Sequence, residues 1–523
     1  MSESRRKVFN PYMPSYEFVP DGEPHVFGER VYVYGSHDRF DGEMFCLNDY
    51  ICYSASIYDL ADWKYEGVIY RKDQDPRNQN QKEPDEIPMI YHTVGRFPGG
   101  LNKKGMHALW APDVAQGPDG RFYMYYCMDF LPEIGVAVCD TPAGKYEFLG
   151  LVRHADGSIL GRKDGDLVQF DPGIFIDDDN AIYLFSGNAP MYQKDIGKKQ
   201  GSQVMILRQD MLTLASEPVR LLPSIAESKG TGFEGHEFFE ASSIRKISRK
   251  YYLIYSSILS HELCYAISEY PDRDYQFGGT IISIGDVGLN NRTTKEAVNC
   301  LGNTHGGIEC INGNWYVFYH RQTNRTQYSR QACAEKIYLD DSGRIFQVEV
   351  TSCGLNAGPL EALGTYPAYI CCHLTSKNGT VFSDQDTMKW DYPFLTRDEP
   401  DYGMGDPDSG LEVWDMKQYM QEQNRTGQYI ANIQDGAKVG YKYFNINDDV
   451  DVKIRIRGRA DGTINIYTGE NSQSCGSIPV HIFSNQWLYL GGKTILPKGI
   501  YSIYFEFKGS GWIDMLEFQF EGK

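Results

Sequence analysis

The sequence of 523 residues predicts an all-β protein, a five-bladed β-propeller followed by a β-sandwich of the jelly-roll type. Three observations predict this fold class. A polar turn followed by alternating aromatic and aliphatic residues recurs five times, several repeats continue into further strand-like runs, and after about residue 375 regularly spaced short strands begin. A long β-sandwich or a solenoid is the competing architecture, but a sandwich does not explain why acidic residues recur at one place in the repeat.

The five repeats are predicted to form inner hairpin strands of five blades, and in chain order they read GERVYVYGSHD, DGRFYMYYCMD, DDNAIYLFSGN, SRKYYLIYSS and NGNWYVFYHRQ. Each unit holds three or four short strands over roughly 45 to 90 residues, the content of one propeller blade. Polar segments at residues 71–106 and 222–236 are predicted to be long loops, which usually shape a pocket. We assign residues 8–375 to the propeller.

The chain beyond the repeats is predicted to form a second β domain. Residues 376–395 are turn-rich and are assigned as a connector, and residues 396–523 as the β-sandwich. Its predicted strands are QYIANIQ, AKVGYKYFNI, VDVKIRIRGRA, GTINIYTG, WLYLGG, GIYSIYFEFKG and WIDMLEFQF. This domain lacks convergent acidic residues, so we expect no second catalytic unit in it.

Composition restricts the partners. The net charge of −19 and the isoelectric point near 5.1 argue against nucleic acid or an anionic membrane surface, because phosphate binding needs clustered Lys and Arg. A neutral ligand fits better. The aromatic content of 14% supplies planar rings on which sugars stack, although strand propensity explains most of these rings.

Cysteine usage and the N-terminal segment indicate the compartment. The twelve cysteines show neither CxxC pairs nor metal-ligand spacing, so they are predicted to be reduced core thiols. The segment MSESRRKVFNPYMPSYEF lacks the apolar core of a secretory signal, and no stretch approaches the roughly 18 to 20 apolar residues of a membrane span. We therefore expect a cytoplasmic protein without an organic cofactor.

Three acidic residues occupy similar places in three repeats. They are Asp21 in VPDGEPHVF, Asp171 in FDPGIFIDDD and Glu240 in FFEASSIRK, each a short way upstream of a strand-like run. They are thus predicted to enter the same edge of the repeated unit and to line one pocket. Carboxylates gathered in this way are the equipment of glycoside hydrolysis, in which one acid protonates the leaving oxygen and another activates water or attacks the sugar.

Each acid also has a structural interpretation. Pro-Asp-Gly is an ordinary turn, and Asp before Pro is common where a loop meets a strand. The residues alone leave open whether Asp21 or Glu23 faces the pocket. Likewise, Glu237 or Glu234 could take the place of Glu240.

The motifs PDGEPHVF, HALWAPDV, FDPGIFIDDD, FFEASSIRK and NTHGGIECINGNWYVFYH together resemble glycoside hydrolase family 43, over roughly residues 8–370. The C-terminal stretch is similar to a family 6 carbohydrate-binding module. The resemblance implies a five-bladed propeller that hydrolyses arabinosides or xylosides with inversion. It also implies that Asp21 is the general base, that Asp171 orients the acid and tunes its pKa, and that Glu240 is the general acid.

The same resemblance implies further site residues. Asp113, Trp110, Phe170 and Arg330 would bind substrate, and His305 would hold a calcium ion near the propeller axis. Each also has a plain structural interpretation. Asp113 would cap a turn, and Trp110 and Phe170 would pack in the core. Arg330 would be a surface cation, and His305 would be a structural histidine with its hydrogen bonds made inside the fold. Calcium, moreover, prefers oxygen ligands.

We expect an exo-acting hydrolase that removes α-L-arabinofuranosyl units from arabinoxylan-derived oligosaccharides. A β-D-xylosidase acting on xylo-oligosaccharides, or a bifunctional enzyme, is the alternative. A non-catalytic carbohydrate-binding propeller is the alternative of a different class. The C-terminal domain either binds xylan-like chains through Trp487 or Trp512 or braces the propeller.

Overall fold

Five antiparallel sheets and one larger C-terminal sheet make up the computed structural model of the protein. The structure describes residues 7–40, 42, 44–79, 107–190, 201–325, 327–382, 392–398 and 427–523. The predicted all-β fold class, a five-bladed propeller followed by a β-sandwich domain, is confirmed, and the strands of the second domain form one curled sheet.

Each blade is a meander of consecutive strands. The first blade contains β1 (Glu23–Phe27), β2 (Arg30–Tyr34), β3 (Tyr50–Ser56) and β4 (Asp59–Tyr70). The second contains β5 (Leu109–Gln116), β6 (Phe122–Met128), β7 (Ile134–Cys139) and β8 (Glu147–Leu151). The third contains β9 (Gly173–Ile176), β10 (Ile182–Ser186), β11 (Gln203–Leu207) and β12 (Val219–Arg220). The fourth contains β13 (Phe238–Ile247), β14 (Lys250–Ser257), β15 (Glu262–Ser268) and β16 (Gln276–Ser283). The fifth contains β17 (Ile308–Ile311), β18 (Asn314–Gln322) and β19 (Arg330–Lys336).

The first strands of the blades form the inner ring. They contact one another in the closed order β1, β5, β9, β13, β17 and back to β1. The N-terminal segment helps to close the ring, because the backbone N–H of Tyr12 donates to the carbonyl of Ala332 in β19 at 3.2 Å. The five aromatic repeats of the sequence are the second strands of the blades.

A hydrophobic core lies between each pair of neighbouring blades, which explains why the second strands are apolar on both faces. In β6, alternate residues face opposite neighbours. Phe122, Met124 and Tyr126 pack against the first blade, whereas Tyr123 and Tyr125 pack against the third. Burying one large apolar side chain contributes about 1.5–3 kcal/mol, so these cores dominate the stability of the ring.

The C-terminal strands form one curled nine-stranded sheet. They are β20 (Leu360–Glu361), β21 (Gly364–Pro367), β22 (His373–Thr375), β23 (Phe394–Thr396), β24 (Tyr429–Ile433), β25 (Lys438–Ile446), β26 (Val450–Tyr467), β27 (Ser474–Thr494) and β28 (Gly499–Gly522). Segments predicted as separate strands are continuous in β26 and in β28. Glycines with positive φ, Gly458 (145°), Gly509 (159°) and Gly511 (83°), allow these long strands to bend without ending.

The boundary between the two domains lies earlier than predicted. Strands β20, β21 and β22 fall within the segment assigned to the propeller, yet they pair with β25 and β28 of the C-terminal sheet. The sheet is also joined to the propeller by ion pairs, because Lys442 Nζ lies 2.9 Å from Asp286 and 2.8 Å from Glu349. Packing of this kind between domains is not visible in strand periodicity.

The predicted loops contain little regular structure. Within residues 71–106, a 3₁₀-helix (Lys72–Gln74) and a short α-helix α1 (Pro76–Gln79) form, and residues 80–106 lie outside the described part of the chain. Of the predicted connector, residues 383–391 also lie outside it. Further 3₁₀-helices are Leu289–Asn291, Thr294–Glu296 and Ala368–Ile370. In the described residues, every helix is too short or too polar to cross a membrane.

Candidate active site

The three acidic residues singled out by the sequence lie at the starts of three innermost strands. Asp21 and Asp171 come just before β1 and β9, with positive φ angles of 56° and 43°. Glu240 lies near the start of β13 at a β-bulge, where the pairing with β14 shifts register, and the next residue, Ala241, has a φ of 71°. Such conformations are uncommon outside glycine and cluster at functional sites, where they redirect side chains.

A close approach of two inner strands brings Asp171 and Glu240 together. A Cβ on Gly173 would lie 2.3 Å from the carbonyl oxygen of Ser242, so only glycine allows β9 to pass β13 at this distance. Gly173 and Ser242 each follow an acid by two residues. The contact therefore sets the two carboxyl groups side by side.

An ion pair with Arg330 anchors Asp21. Arg330 Nη1 donates to Asp21 Oδ1 at 3.0 Å, and the backbone N–H of Asp21 donates to Nδ1 of His320 at 3.1 Å. Burial disfavours the charged carboxylate, but Arg330, together with smaller contributions from His320, His305 and Ser36, more than offsets it, so the pKa of Asp21 lies below its ordinary value. Asp21 is therefore ionised at neutral pH.

Asp38, a residue that the sequence analysis does not single out, fixes Arg330. Its carboxylate accepts hydrogen bonds from Nε and Nη2 of Arg330 at 2.9 and 3.0 Å and from the Arg330 backbone N–H at 3.0 Å. The guanidinium also lies 4.6 Å from the ring centroid of Phe45. This bidentate pairing leaves Nη1 directed at Asp21. Asp38 ends the repeat GERVYVYGSHD, but nothing in that repeat indicates its distant partner, Arg330.

Asp171 and Glu240 form a close pair of carboxyl groups. Burial and the nearby charge of Glu240 raise the pKa of Asp171 well above its ordinary value. Asn188 Nδ2 donates to Glu240 Oε2 at 3.1 Å, and Cys127 Sγ lies 3.8 Å from Asp171 Oδ1. Two neighbouring carboxylates resist ionising together, so the raised pKa of Asp171 favours a state in which the pair holds one proton.

His305 lies between Asp21 and Asp171. Its Nδ1 is 3.9 Å from Asp21 Oδ1 and 3.5 Å from Asp171 Oδ2, and burial lowers the pKa of the ring. Among the described residues, the carboxylates within this reach are the two acids themselves, whereas calcium takes about six to eight oxygen ligands. Protein oxygens alone do not complete a calcium site here, so calcium at His305 stays a prediction and we assign no step to it.

The acids line a cavity of 880 Å³. Its walls are mainly apolar and include the aromatic residues Phe45, Trp110, Phe130, Phe170, Phe239 and Phe382. Trp110 and Phe170 meet edge to face, with ring centroids 5.3 Å apart. Convergent carboxyl groups inside an aromatic pocket suit a carbohydrate, whose hydroxyls take hydrogen bonds and whose C–H faces pack on rings.

Comparison with known proteins identifies the family. The family model described as "Glycosyl hydrolases family 43" matches residues 20–345, which span the ring of blades and the acids. This chain belongs to glycosyl hydrolase family 43. It is therefore a glycoside hydrolase, and the non-catalytic alternative is not supported.

Relatives of this family 43 enzyme match it to different extents. A xylosidase/arabinosidase from Thermoclostridium stercorarium is 45% identical over 98% of this chain and 99% of its own length. A β-xylosidase from Xylanibacter ruminicola is 27% identical over 65% of this chain and 99% of its own length. An arabinoxylan arabinofuranohydrolase from Paenibacillus polymyxa is 25% identical over 95% of this chain and 70% of its own length. The likeness of the C-terminal domain to a family 6 module stays a prediction.

Most of the predicted site residues of this family 43 enzyme line the cavity, namely Asp21, Trp110, Phe170, Asp171, Glu240, His305 and Arg330. Asp113 is not among the described residues that do so. Its Oδ1 lies 2.6 Å from Nε2 of His25, and its Oδ2 accepts the backbone N–H of Ile174 at 2.7 Å. Asp113 lies in the middle of β5 rather than at its start, which explains why it misses the edge where the acids meet.

The alternatives left open by the sequence have other partners. Glu23 pairs with Arg245 at 2.8 Å, Glu237 accepts a hydrogen bond from Ser228 at 2.5 Å, and Glu234 accepts a backbone N–H. None of these three acids is among the described residues that line the cavity. Asp21 and Glu240 are thus the members of each local group that face it.

Proposed function

We propose that this enzyme is an exo-acting, inverting α-L-arabinofuranosidase that acts on arabinoxylan-derived oligosaccharides. The observation that carries the proposal is the separation of the acids into two electrostatic environments within one cavity. The pKa of Asp21 is lowered beside Arg330, whereas the pKa of Asp171 is raised by burial and by the neighbouring Glu240, so we propose that Asp171 and Glu240 share one proton. A general base and a general acid that work at the same pH need pKa values shifted in opposite directions, and these two environments supply such shifts.

In the proposed reaction, Asp21 is the general base. Its carboxylate takes a proton from a water molecule as the water attacks the anomeric carbon. Arg330 keeps the carboxylate charged and orients it. An inverting site needs its acid and base roughly 6.5 to 9.5 Å apart so that water fits between the base and the sugar. Placement on the first and fourth blades, across the inner ring, supports such a gap.

Glu240 is proposed to be the general acid. It is the more exposed member of the pair and is held by Asn188, so it can deliver the shared proton to the departing glycosidic oxygen. Asp171, which is buried, is proposed to orient Glu240 and to oppose its ionisation. The atoms balance: water supplies a hydroxyl to the sugar, Glu240 gives a proton to the leaving group, and Asp21 holds the proton of the water.

The preference for arabinose is supported by the share of this chain that each relative matches. The arabinofuranohydrolase from P. polymyxa matches 95% of this chain, including the C-terminal domain, whereas the β-xylosidase from X. ruminicola matches 65%. The β-xylosidase alternative has its own support, because the full-length relative from T. stercorarium is named for both sugars.

Product analysis tests this proposal directly. The purified enzyme is incubated with arabinoxylo-oligosaccharides and with xylobiose, and the anomer of the fresh sugar is followed by NMR. We expect arabinose with inverted configuration from the first substrate and little xylose from the second. Xylose from xylobiose would establish the β-xylosidase instead, and a retained anomer would overturn the direct-displacement mechanism.

The role proposed for Asp38 gives a second test. Replacing Asp38 by Asn is expected to lower kcat/KM about a hundredfold, because an amide cannot accept both guanidinium N–H groups and Arg330 then shifts from Asp21. The acidic limb of the pH profile should move to higher pH, since the pKa of Asp21 rises when its cation moves away. Asp119→Asn, which alters an exposed Asp–Arg pair with Arg121, is the matched control. An unchanged kcat/KM and an unchanged pH profile would mean that Asp38 does not position Arg330 for catalysis.

We propose a cytoplasmic location and oligosaccharides taken up by the cell as substrates. None of the twelve cysteines forms a disulfide, which suits a reducing compartment.

We also propose that the C-terminal domain chiefly braces the propeller. Trp487 packs against Tyr429 with ring centroids 5.2 Å apart, while Trp512 is 36% exposed and is the better candidate for sugar contact. Loss of xylo-oligosaccharide binding in Trp512→Ala would favour the sugar-binding role over the brace.

A further inference from the structure

A group of three potential metal ligands lies in the fourth blade, apart from the residues that line the active-site cavity. His236 Nδ1 lies 2.6 Å from Glu262 Oε1, and Cys264 Sγ lies 3.4 Å from the same oxygen and 4.0 Å from His236 Nδ1. One nitrogen, one oxygen and one sulfur thus form a small triangle. This combination of donors suits zinc, which accepts all three.

The dimensions of the triangle fit a tetrahedral cation. Zinc bonds sulfur at about 2.3 Å and nitrogen or oxygen at about 2.0 to 2.2 Å, so tetrahedral ligand atoms lie roughly 3.3 to 3.6 Å apart. The observed separations differ from these by less than about 1 Å, which small side-chain rotations can supply. The histidine is the ligand that has to move, and it is the most exposed of the three, at 36% of its side chain.

Hydrogen bonds outside the triangle orient its members. Ser257 Oγ donates to Glu262 Oε1 at 2.6 Å and Thr280 Oγ1 donates to Glu262 Oε2 at 2.9 Å. The ring of His236 stacks on Phe277, with centroids 5.0 Å apart and planes 16° apart. Partners of this kind fix the carboxylate and the ring before a metal arrives.

A second group of potential ligands in the described chain is less suited to a metal ion, because a cationic side chain already pairs with it. Glu23, His25 and Asp113 also come close together, but Arg245 already pairs with Glu23 at 2.8 Å. A buried guanidinium beside the carboxylate opposes a second cation. By contrast, no cation from Arg or Lys pairs with Glu262 among the described residues.

We propose that His236, Glu262 and Cys264 form a binding site for one zinc-class divalent cation, with water as the fourth ligand on the exposed side of His236. Binding releases to solvent the proton of the Cys264 thiol and the proton held between His236 Nδ1 and Glu262 Oε1, because a thiolate and an unprotonated ring nitrogen are the forms that ligate metal. The site is independent of the proposed hydrolytic specificity, since none of its three residues lines the catalytic cavity.

Titration of the chelator-treated full-length protein with Co²⁺ tests the proposal, because cobalt replaces zinc and reports its ligands in its spectrum. We expect one equivalent to bind with a thiolate-to-cobalt charge-transfer band and the visible bands of tetrahedral cobalt, and we expect Zn²⁺ to abolish them. Cys264→Ser should lose the charge-transfer band. His236→Asn, on the exposed side and therefore safe for folding, should weaken Co²⁺ binding about tenfold or more.

Two matched variants complete the experiment. Cys310→Ser removes a partly exposed cysteine outside the proposed site, and His481→Asn removes an exposed histidine that pairs with Asp461. Both should keep the wild-type spectrum and affinity. A wild-type protein without the charge-transfer band, or a band that survives in Cys264→Ser, would overturn the proposal, as would equal weakening by His236→Asn and His481→Asn.

Discussion

Replacing Glu240 by Gln is expected to lower kcat about a thousandfold on substrates with a sugar leaving group, because general acid catalysis contributes about 10²- to 10⁴-fold. Glutamine keeps the size of the side chain and can still accept the hydrogen bond from Asn188. It cannot donate a proton to the glycosidic oxygen. The measurement is kcat and KM on an arabinoxylo-oligosaccharide, with substrate affinity followed separately by calorimetry.

The loss in Glu240→Gln should depend on the leaving group. An aryl glycoside with an acidic phenol departs without full protonation, so its hydrolysis should fall much less than that of the oligosaccharide. Substrate affinity should remain within a few-fold of wild type. Glu234→Gln, six residues earlier and exposed, is the matched control. Equal losses on both substrates would mean that Glu240 is not the proton donor.

Much of this arrangement could be predicted from the sequence because two periodicities coincide. The alternation within β6 and its counterparts gives strands buried on both faces, and the spacing of the repeats gives the number of blades. Asp21 and Asp171 stand at the same point of that repeat, just before an innermost strand. A pattern that repeats in this way carries information about three-dimensional position, which a lone acidic residue does not.

The features that could not be predicted depend on contacts between distant segments. Asp38 reaches Arg330 across 292 residues of chain, and no local pattern reports that pairing. Asp113 lies in a motif of the family, but its place in the middle of β5 directs it to His25 instead of the cavity. Strands β26 and β28 contain glycines that indicate turns in the sequence. In the structure both strands continue past these glycines, because they remain paired with neighbouring strands.

Replacing Asp21 by Asn is expected to lower kcat about a thousandfold on every substrate, irrespective of the leaving group, because the missing step is activation of water. Arg330 retains its bidentate bonds to Asp38, so the fold should be preserved, as circular dichroism can verify. This pattern differs from that of Glu240→Gln and distinguishes the base from the acid. Asp178→Asn, in an exposed turn, is the control.

The pH profile of Asp21→Asn provides an independent readout of the same role. As the proposed base, Asp21 has to be ionised in the wild-type enzyme, and Arg330 contributes to holding its pKa below the ordinary value of about 4. The acidic limb of kcat/KM should therefore lie below about pH 4, with activity lost as the pH falls through the pKa of Asp21. Asparagine has no proton to gain, so this limb should disappear while the basic limb, which reports the proton shared by Asp171 and Glu240, remains. Persistence of the acidic limb in Asp21→Asn would assign the base to another residue, because the only titration that the substitution removes is that of Asp21 itself.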